Sequence, residues 1–234
     1  MKSPGHWFAA LACSLLWLGV LRCPAQSNVT VQVSASAAGE TIPTDFLGLS
    51  FEMQRVLANP DGGHFFSATN KPLIALFHTL GIQSLRVGGN TADRPTLPTP
   101  SKADVDALFA FARTAKVKVI FTLRLNQGKM DEAVAMATYI MQRHAKWVNA
   151  FAIGNEPNVF NKEFAPYFAE WQRYAAAISS NAPGAMFCGP GVSPGHELWS
   201  AYFATNLVGD KRIKFVTQHD YPGGDARKAT NAPA

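Results

Sequence analysis

Asn149-Ala-Phe-Ala-Ile-Gly-Asn-Glu-Pro-Asn-Val159 reads as a short apolar strand that stops at a polar cluster. Phe151, Ala152 and Ile153 have strand character. Gly154 lets the backbone turn, and Pro157 has no N–H to continue a ladder. Asn155 and Glu156 therefore stand where a strand gives out. In barrels and open sheets of parallel strands, the carboxyl ends of the strands are where chemistry is done. A carboxyl beside an amide at such a point is the outline of a general acid/base site. The alternative is that Glu156 caps a helix starting near Asn161.

Outward from this stretch the chain alternates strand and helix. Before it, strands are expected at residues 46–52 (Phe-Leu-Gly-Leu-Ser-Phe-Glu), 84–89 and 117–125. After it, strands are expected at 186–189 and 212–221. Glu52 ends the first of these, as Glu156 ends its own. Arg86 lies inside a short apolar strand, and a buried guanidinium needs a carboxylate partner. Gly88-Gly89-Asn90-Thr91 then suggests a tight backbone passage below a ligand. Phe215, Thr217, His219 and Tyr221 alternate against Val216, Gln218 and Asp220, so Asp220 points away from His219 and Tyr221.

The helices follow from apolar spacing near 3.6. The spacing predicts a helix over 71–80 with Leu73, Leu76, Phe77 and Leu80 on one face, closed by Gly81. A second is capped by Ser101 with Asp104 three residues on, and carries Val105, Leu108, Phe109 and Ala112 as its stripe. A third runs over 130–146, with Asp131 and Glu132 in its first turn and Arg143, His144 and Lys146 in its last, as the helix dipole favours. The helix at 164–180 has an aromatic stripe of Phe164, Phe168, Trp171 and Tyr174, read as core packing. A short helix is expected at 196–207. Pro60–Gly63 and Arg94–Pro100 are loops. Strand and helix in alternation with short links mean a parallel sheet covered by helices. Six strands suit either a doubly wound sheet or part of a (β/α)8 barrel, which takes eight strands and about 250 residues.

Composition narrows the function classes. Among 234 residues the net charge is +5. No basic run with interleaved aromatics occurs, so nucleic acid is not an expected partner. Lys2 and His6 precede an apolar run from Trp7 to Leu21, and Cys23 with Ala25 offers a small-x-small cleavage pattern. Residues 1–25 read as an export signal, which implies a secreted or periplasmic protein with no membrane span after cleavage. Cleavage removes Cys13 and Cys23 and leaves Cys188, read as a buried thiol on a strand. Residues 28–36 read as an amino-terminal strand, alternating from Asn28 to Ser34. Asn28-Val29-Thr30 is a glycosylation sequon. Residues 225–234 read as a disordered tail. His64, His78, His144, His196 and His219 show no metal-ligand spacing. No Gly-x-Ser-x-Gly elbow or phosphate loop occurs, so no metal or cofactor is expected.

Four further stretches carry a resemblance. Leu47-Gly-Leu-Ser-Phe-Glu52, Leu85-Arg-Val-Gly-Gly-Asn90, Gly189-Pro-Gly-Val192 and Gln218-His-Asp-Tyr221, together with Gly154-Asn-Glu-Pro157, resemble glycoside hydrolase family 79 in order and approximate spacing. That family contains heparanases and β-glucuronidases. The resemblance implies a (β/α)8 barrel, incomplete here with about six strands, over residues 37–224. The segment 28–36 is then an orphan strand of a β-domain that is missing. It implies a retaining β-glycosidase acting on glucuronide-type O-glycosidic bonds, with a glucuronic-acid-containing oligosaccharide or polysaccharide as partner. Glu156 resembles the acid/base and Asn155 the amide that contacts the sugar 2-hydroxyl. Glu52 and Asn90 resemble residues lining the terminal-sugar subsite, and His219 and Tyr221 residues near the nucleophile. Arg86 resembles the arginine that supports the nucleophilic carboxylate.

The family's nucleophile is a Glu on a seventh strand, and no carboxylate after Glu156 in this sequence is a good substitute. Retaining chemistry needs a second carboxyl about 5–5.5 Å from the first. The expectation is therefore a truncated form that lacks its nucleophile and does not turn over substrate by itself. The alternative is a non-catalytic carbohydrate-binding remnant.

Overall fold

Six parallel strands run in the order β1 to β6 without a reversal: β1 Gly48–Glu52, β2 Ser84–Gly88, β3 Lys118–Leu123, β4 Val148–Ile153, β5 Phe187–Val192 and β6 Ile213–Gln218. One helix follows each of the first five: α1 Lys71–Thr79, α2 Lys102–Ala115, α3 Met130–His144, α4 Phe164–Asn181 and α5 Glu197–Asn206. The structure is a computed structural model that describes Gly39 and residues 41–221. The chain divides into two units, Met1–Thr41 and Ile42–Ala234, and the elements named here belong to the second. The export signal, the strand at 28–36 and the tail at 225–234 lie outside the described residues. Among the described residues no helix is long and apolar enough to cross a membrane.

The strand order separates the two architectures that the sequence left open. A doubly wound sheet reverses its order at a switch point, so that helices cover both faces. Here each strand pairs with the next in sequence. Right-handed crossovers then place every helix on one face, and the sheet curls away from them as a half-barrel. Leu85, Val87, Val119, Phe121, Leu123, Phe151, Ile153 and Phe187 point to the helices and share one large core with them. The opposite face carries a separate small cluster of Ala150, Ala152 and Cys188, against which Ile120 and Phe215 pack. Register places Ser50 beside Arg86, and Arg86 beside Ile120, on that concave face.

Most of the expected helices form for the expected reasons. Ser101 and Asp104 make a reciprocal capping box, and Val105, Leu108, Phe109 and Ala112 are all buried. The aromatic stripe of α4 is core: Trp171 lies edge-on to Phe203, with ring centroids 4.8 Å apart, and to Phe187. Two expectations need correction. In α1 the face turned to the core is Ile74 and Phe77, while Leu76 and Leu80 are 57% and 54% exposed. Of the expected stripe, Phe77 is buried and Leu73 packs on the core, while Leu76 and Leu80, four apart on one face, are turned to solvent, and Ile74 takes their place. The third helix is α-helical only to His144; Ala145–Trp147 is a 3-10 turn that leads into β4. His144 stacks on Phe109 and its Nε2 lies 2.8 Å from Asp106, pinning α3 to α2.

Candidate active site

Beyond Ile153 the backbone leaves the sheet in two steps. Gly154 takes φ of 84° and Glu156 takes φ of 46° and ψ of 56°, a left-handed conformation that a side chain rarely adopts. Such a residue costs on the order of 1–3 kcal/mol and persists where its surroundings over-determine it. The surroundings are visible. The Gly154 amide donates to Leu123 on β3, and the Glu156 amide donates to Gly191 on β5. Pro157 opens a 3-10 turn, Pro157–Val159, for which Glu156 occupies the cap position without a side-chain capping bond. The capping alternative for Glu156 is thereby excluded. Its carboxylate turns instead to the end of β6.

Glu156 Oε1 lies 2.7 Å from His219 Nδ1 and accepts from the Tyr221 hydroxyl at 3.1 Å. The two side chains of the Glu156–His219 pair are 12% and 18% exposed. Oε2 makes no hydrogen bond among the described residues. One oxygen is thus held while the other faces a cleft of about 180 Å³. Ser50, Glu52, Arg86, Gly89, Asn90, Asn155, Glu156, His219 and Tyr221 line it. All seven residues singled out from the sequence therefore meet around one cleft, brought from the ends of β1, β2, β4 and β6.

Their contacts were not all foreseeable. The Arg86 guanidinium donates to Ser50 Oγ at 2.9 Å and to Asn155 Oδ1 at 2.5 Å. Among the described residues no carboxylate lies within ion-pair distance of it. Burial holds its pKa below the ordinary value, and the more distant charges of Cys188, Glu52, Tyr221 and Glu156 only partly oppose this. Asn155 spends its amide inside the protein: besides accepting from Arg86, it donates to Asn90 Oδ1 at 3.1 Å. Glu52 accepts from the Thr91 amide and hydroxyl at 2.8 and 2.6 Å through Oε2, and from the Asn90 amide through Oε1. Both its oxygens accept from the loop after β2.

Gly88 and Gly89 also leave room for the protein's own side chains. A Cβ on Gly89, which has φ of 66°, would stand 2.5 Å from the Glu52 carboxyl carbon, and a Cβ on Gly88 would stand 2.3 Å from Thr122 Oγ1. They make room for a side chain of β1 and one of β3. The passage is tight against the protein's own side chains, and Gly89 also lines the cleft.

Sequence reading missed Asp93. It is 7% exposed and bridges three strand ends: Oδ1 accepts from the Leu125 and Asn126 amides at 2.6 and 2.9 Å, and Oδ2 from the Asn155 amide at 2.5 Å. Burial raises its pKa, against the pull of those three amides. Ser50 and Thr91 were also missed. Nothing in a lone Asp, Ser or Thr marks it as converging on a site, although Asp93 falls in the polar run that follows Gly88-Gly89. Cys188 is buried on the concave face, as expected, and burial pushes its thiol up to about 12. Among the described residues no cluster of His, Cys, Asp and Glu could hold a metal ion. A larger cavity, about 470 Å³, opens between β3, α2 and α3, walled by Phe121, Leu123, Ala133 and Met136. It holds none of the strand-end acids, so the smaller cleft is the chemically equipped one.

No protein-family model matches the chain, and no curated protein matches it. Solved structures do. The fold is similar to a family 51 α-L-arabinofuranosidase of Bifidobacterium longum, with a TM-score of 0.54, 14% identity, and coverage of 81% of this chain and 47% of that one. An α-L-arabinofuranosidase of Thermotoga maritima overlaps at a TM-score of 0.49 and 15% identity, over 70% of this chain and 40% of that one. A β-glucosidase of Pyrococcus furiosus overlaps at 0.38 and 11%, over 77% and 65%. The chain spans about half the length of the first. At such identities the likeness is one of fold: this chain has the architecture of part of a (β/α)8 barrel.

Proposed function

We propose that the chain carries the acid/base half of a retaining β-glycosidase site for glucuronide-type O-glycosidic bonds. One observation supports this above the others: Glu156, at the carboxyl end of β4, has one oxygen anchored by His219 and Tyr221 and the other free toward the cleft. A carboxyl so held presents a fixed proton-transfer atom at one position. In the proposed role it protonates the leaving oxygen, then takes a proton from the water that follows. Asn90 and Tyr221 would orient the ring by hydrogen bonds. The glucuronide class rests on the resemblance of the sequence motifs to family 79.

The same geometry supports the expectation that these residues do not turn over substrate unaided. Glu52 is the other carboxylate lining the cleft, and Thr91 and Asn90 occupy both its oxygens. No described residue takes the nucleophile's part. That favours, as the second reading, a carbohydrate-binding role for the cleft as it stands.

Titration calorimetry with glucuronic acid, arabinose and glucose, alongside hydrolysis of the corresponding aryl glycosides, tests both. The expected result is weak binding of glucuronic acid, lost in Glu156→Ala, with no turnover. Tighter binding of arabinose overturns the sugar class. Turnover that Glu156→Ala abolishes overturns the missing-nucleophile expectation, and no binding of any sugar overturns the site.

A further inference from the structure

We infer that Asp93 is the positioning residue of this site: it sets the geometry of Asn155 and Glu156 by clamping the ends of β3 and β4 to the loop after β2. The inference rests on Glu156 being the working group of the cleft.

Asp93 is not among the residues that line the cleft, and it meets the lining only through the Asn155 amide, yet both its oxygens are committed. Oδ1 takes the two successive amides of Leu125 and Asn126, the second and third residues past β3. Oδ2 takes the amide of Asn155, immediately before the left-handed Glu156. The Gly154 backbone fits between them because it has no side chain; a Cβ there would stand 3.1 Å from Leu125 Cβ and 3.4 Å from Asp93 Oδ2. The carboxylate thus replaces the ladder at the level where β3 and β4 stop pairing, since their last register pair is Leu123 with Ile153.

The loop that carries Asp93 is itself braced. Arg124 donates to the Ala92 and Leu97 carbonyls, both at 2.8 Å, and Asn126 Nδ2 donates to the Asp93 carbonyl. On the other side Thr91 holds Glu52 of β1. Asp93 and Thr91, two residues apart in one braced loop, together tie β1, β3 and β4 at the height of the cleft. Three converging N–H donors need two acceptor oxygens. An amide side chain offers one oxygen and turns N–H groups toward the rest. Asp93→Asn accordingly leaves either the β3 amides or the Asn155 amide without an acceptor.

The test uses amide hydrogen exchange and His ring resonances of the full chain, without turnover, so it stands or falls apart from the glycosidase reading. In the unaltered protein the amides of Leu125, Asn126 and Asn155 are expected to show matched protection and to open together in denaturant. In Asp93→Asn the Asn155 amide is expected to lose about 10- to 100-fold of its protection, the range for a hydrogen bond to a charged acceptor. The His219 ring resonances should move in the direction seen in Glu156→Gln, while those of His144, remote on Asp106, stay in place. A residue that only stabilised the fold would move both histidines or neither. Asp93→Asn with Asn155 still protected and His219 unmoved overturns the inference. If Asp93→Asn does not fold, the unaltered protein decides: an Asn155 amide exchanging as fast as an exposed loop amide while Leu125 stays protected overturns it equally.

Discussion

Replacing Arg86 with methionine is the sharpest physical test of the cleft. The guanidinium is half-buried in the cleft wall, and its two hydrogen bonds go to neutral oxygens, Ser50 Oγ and Asn155 Oδ1. Hydrogen bonds with a charged partner are worth about 1.5–3 kcal/mol each, so methionine forfeits roughly 3–6 kcal/mol. Against this stands the desolvation of an uncompensated cation, several kcal/mol after relaxation. The direction of the Arg86 shift fits: burial lowers its pKa, so the charged form is disfavoured in the folded state. The two sides nearly cancel, and Arg86→Met is expected to change stability by no more than about 1–2 kcal/mol. Breaking a compensated buried ion pair costs about 3–5 kcal/mol instead. Urea unfolding with linear extrapolation measures the difference. A loss of about 3 kcal/mol or more would refute the claim that this cation lacks a carboxylate partner among the described residues.

Other outcomes follow from single contacts. Cys188, with its thiol pushed up to about 12, should resist iodoacetamide in the folded chain and react once urea unfolds it; site-resolved mass spectrometry that finds it alkylated in the folded chain contradicts its burial. Gly89→Ala should cost more than Gly62→Ala: both have left-handed backbones, worth about 1–2 kcal/mol, but a Cβ at Gly62 meets nothing within 4 Å and one at Gly89 strikes Glu52. Equal urea midpoints for the two variants would show that the Glu52–Thr91 contact adds nothing. The bond from Arg212, chiefly, holds the Asp210 carboxyl below the ordinary range. Its stabilisation is therefore present above the unfolded value, about 3.9, and lost as pH falls through the lowered one. Asp210→Asn should show a smaller drop in urea midpoint between neutral pH and about pH 3 than the unaltered chain; an equal drop removes the pair from the acid limb.

The periodicity of the chain was enough for the elements. Alternation and 3.6-residue spacing are local consequences of backbone geometry, so β2 to β6 and α2 to α5 lie within a few residues of where they are expected. The error in α1 has the same root. Leu76 and Leu80 satisfy helical spacing as well as Ile74 and Phe77 do, and only the sheet determines which stripe it covers. The residues of the cleft were legible because polar groups at the ends of apolar strands are conspicuous and parallel strands put those ends on one rim. What those residues do to each other was not legible.

Glu156 draws these threads together. The sequence by itself determined that a carboxyl follows an apolar strand between a turning glycine and a proline, because those are properties of neighbours in the chain. Only the tertiary structure decided that it is held through one oxygen by His219 and Tyr221, 63 and 65 residues away. It also decided that Asp93, marked by no motif, braces the backbone beneath it, and that Arg86 faces neutral oxygens, with no carboxylate partner among the described residues. The physical reason is that strand order and register are set by the burial of whole faces. Contacts between side chains on different strands exist only once that burial has chosen which strands are neighbours.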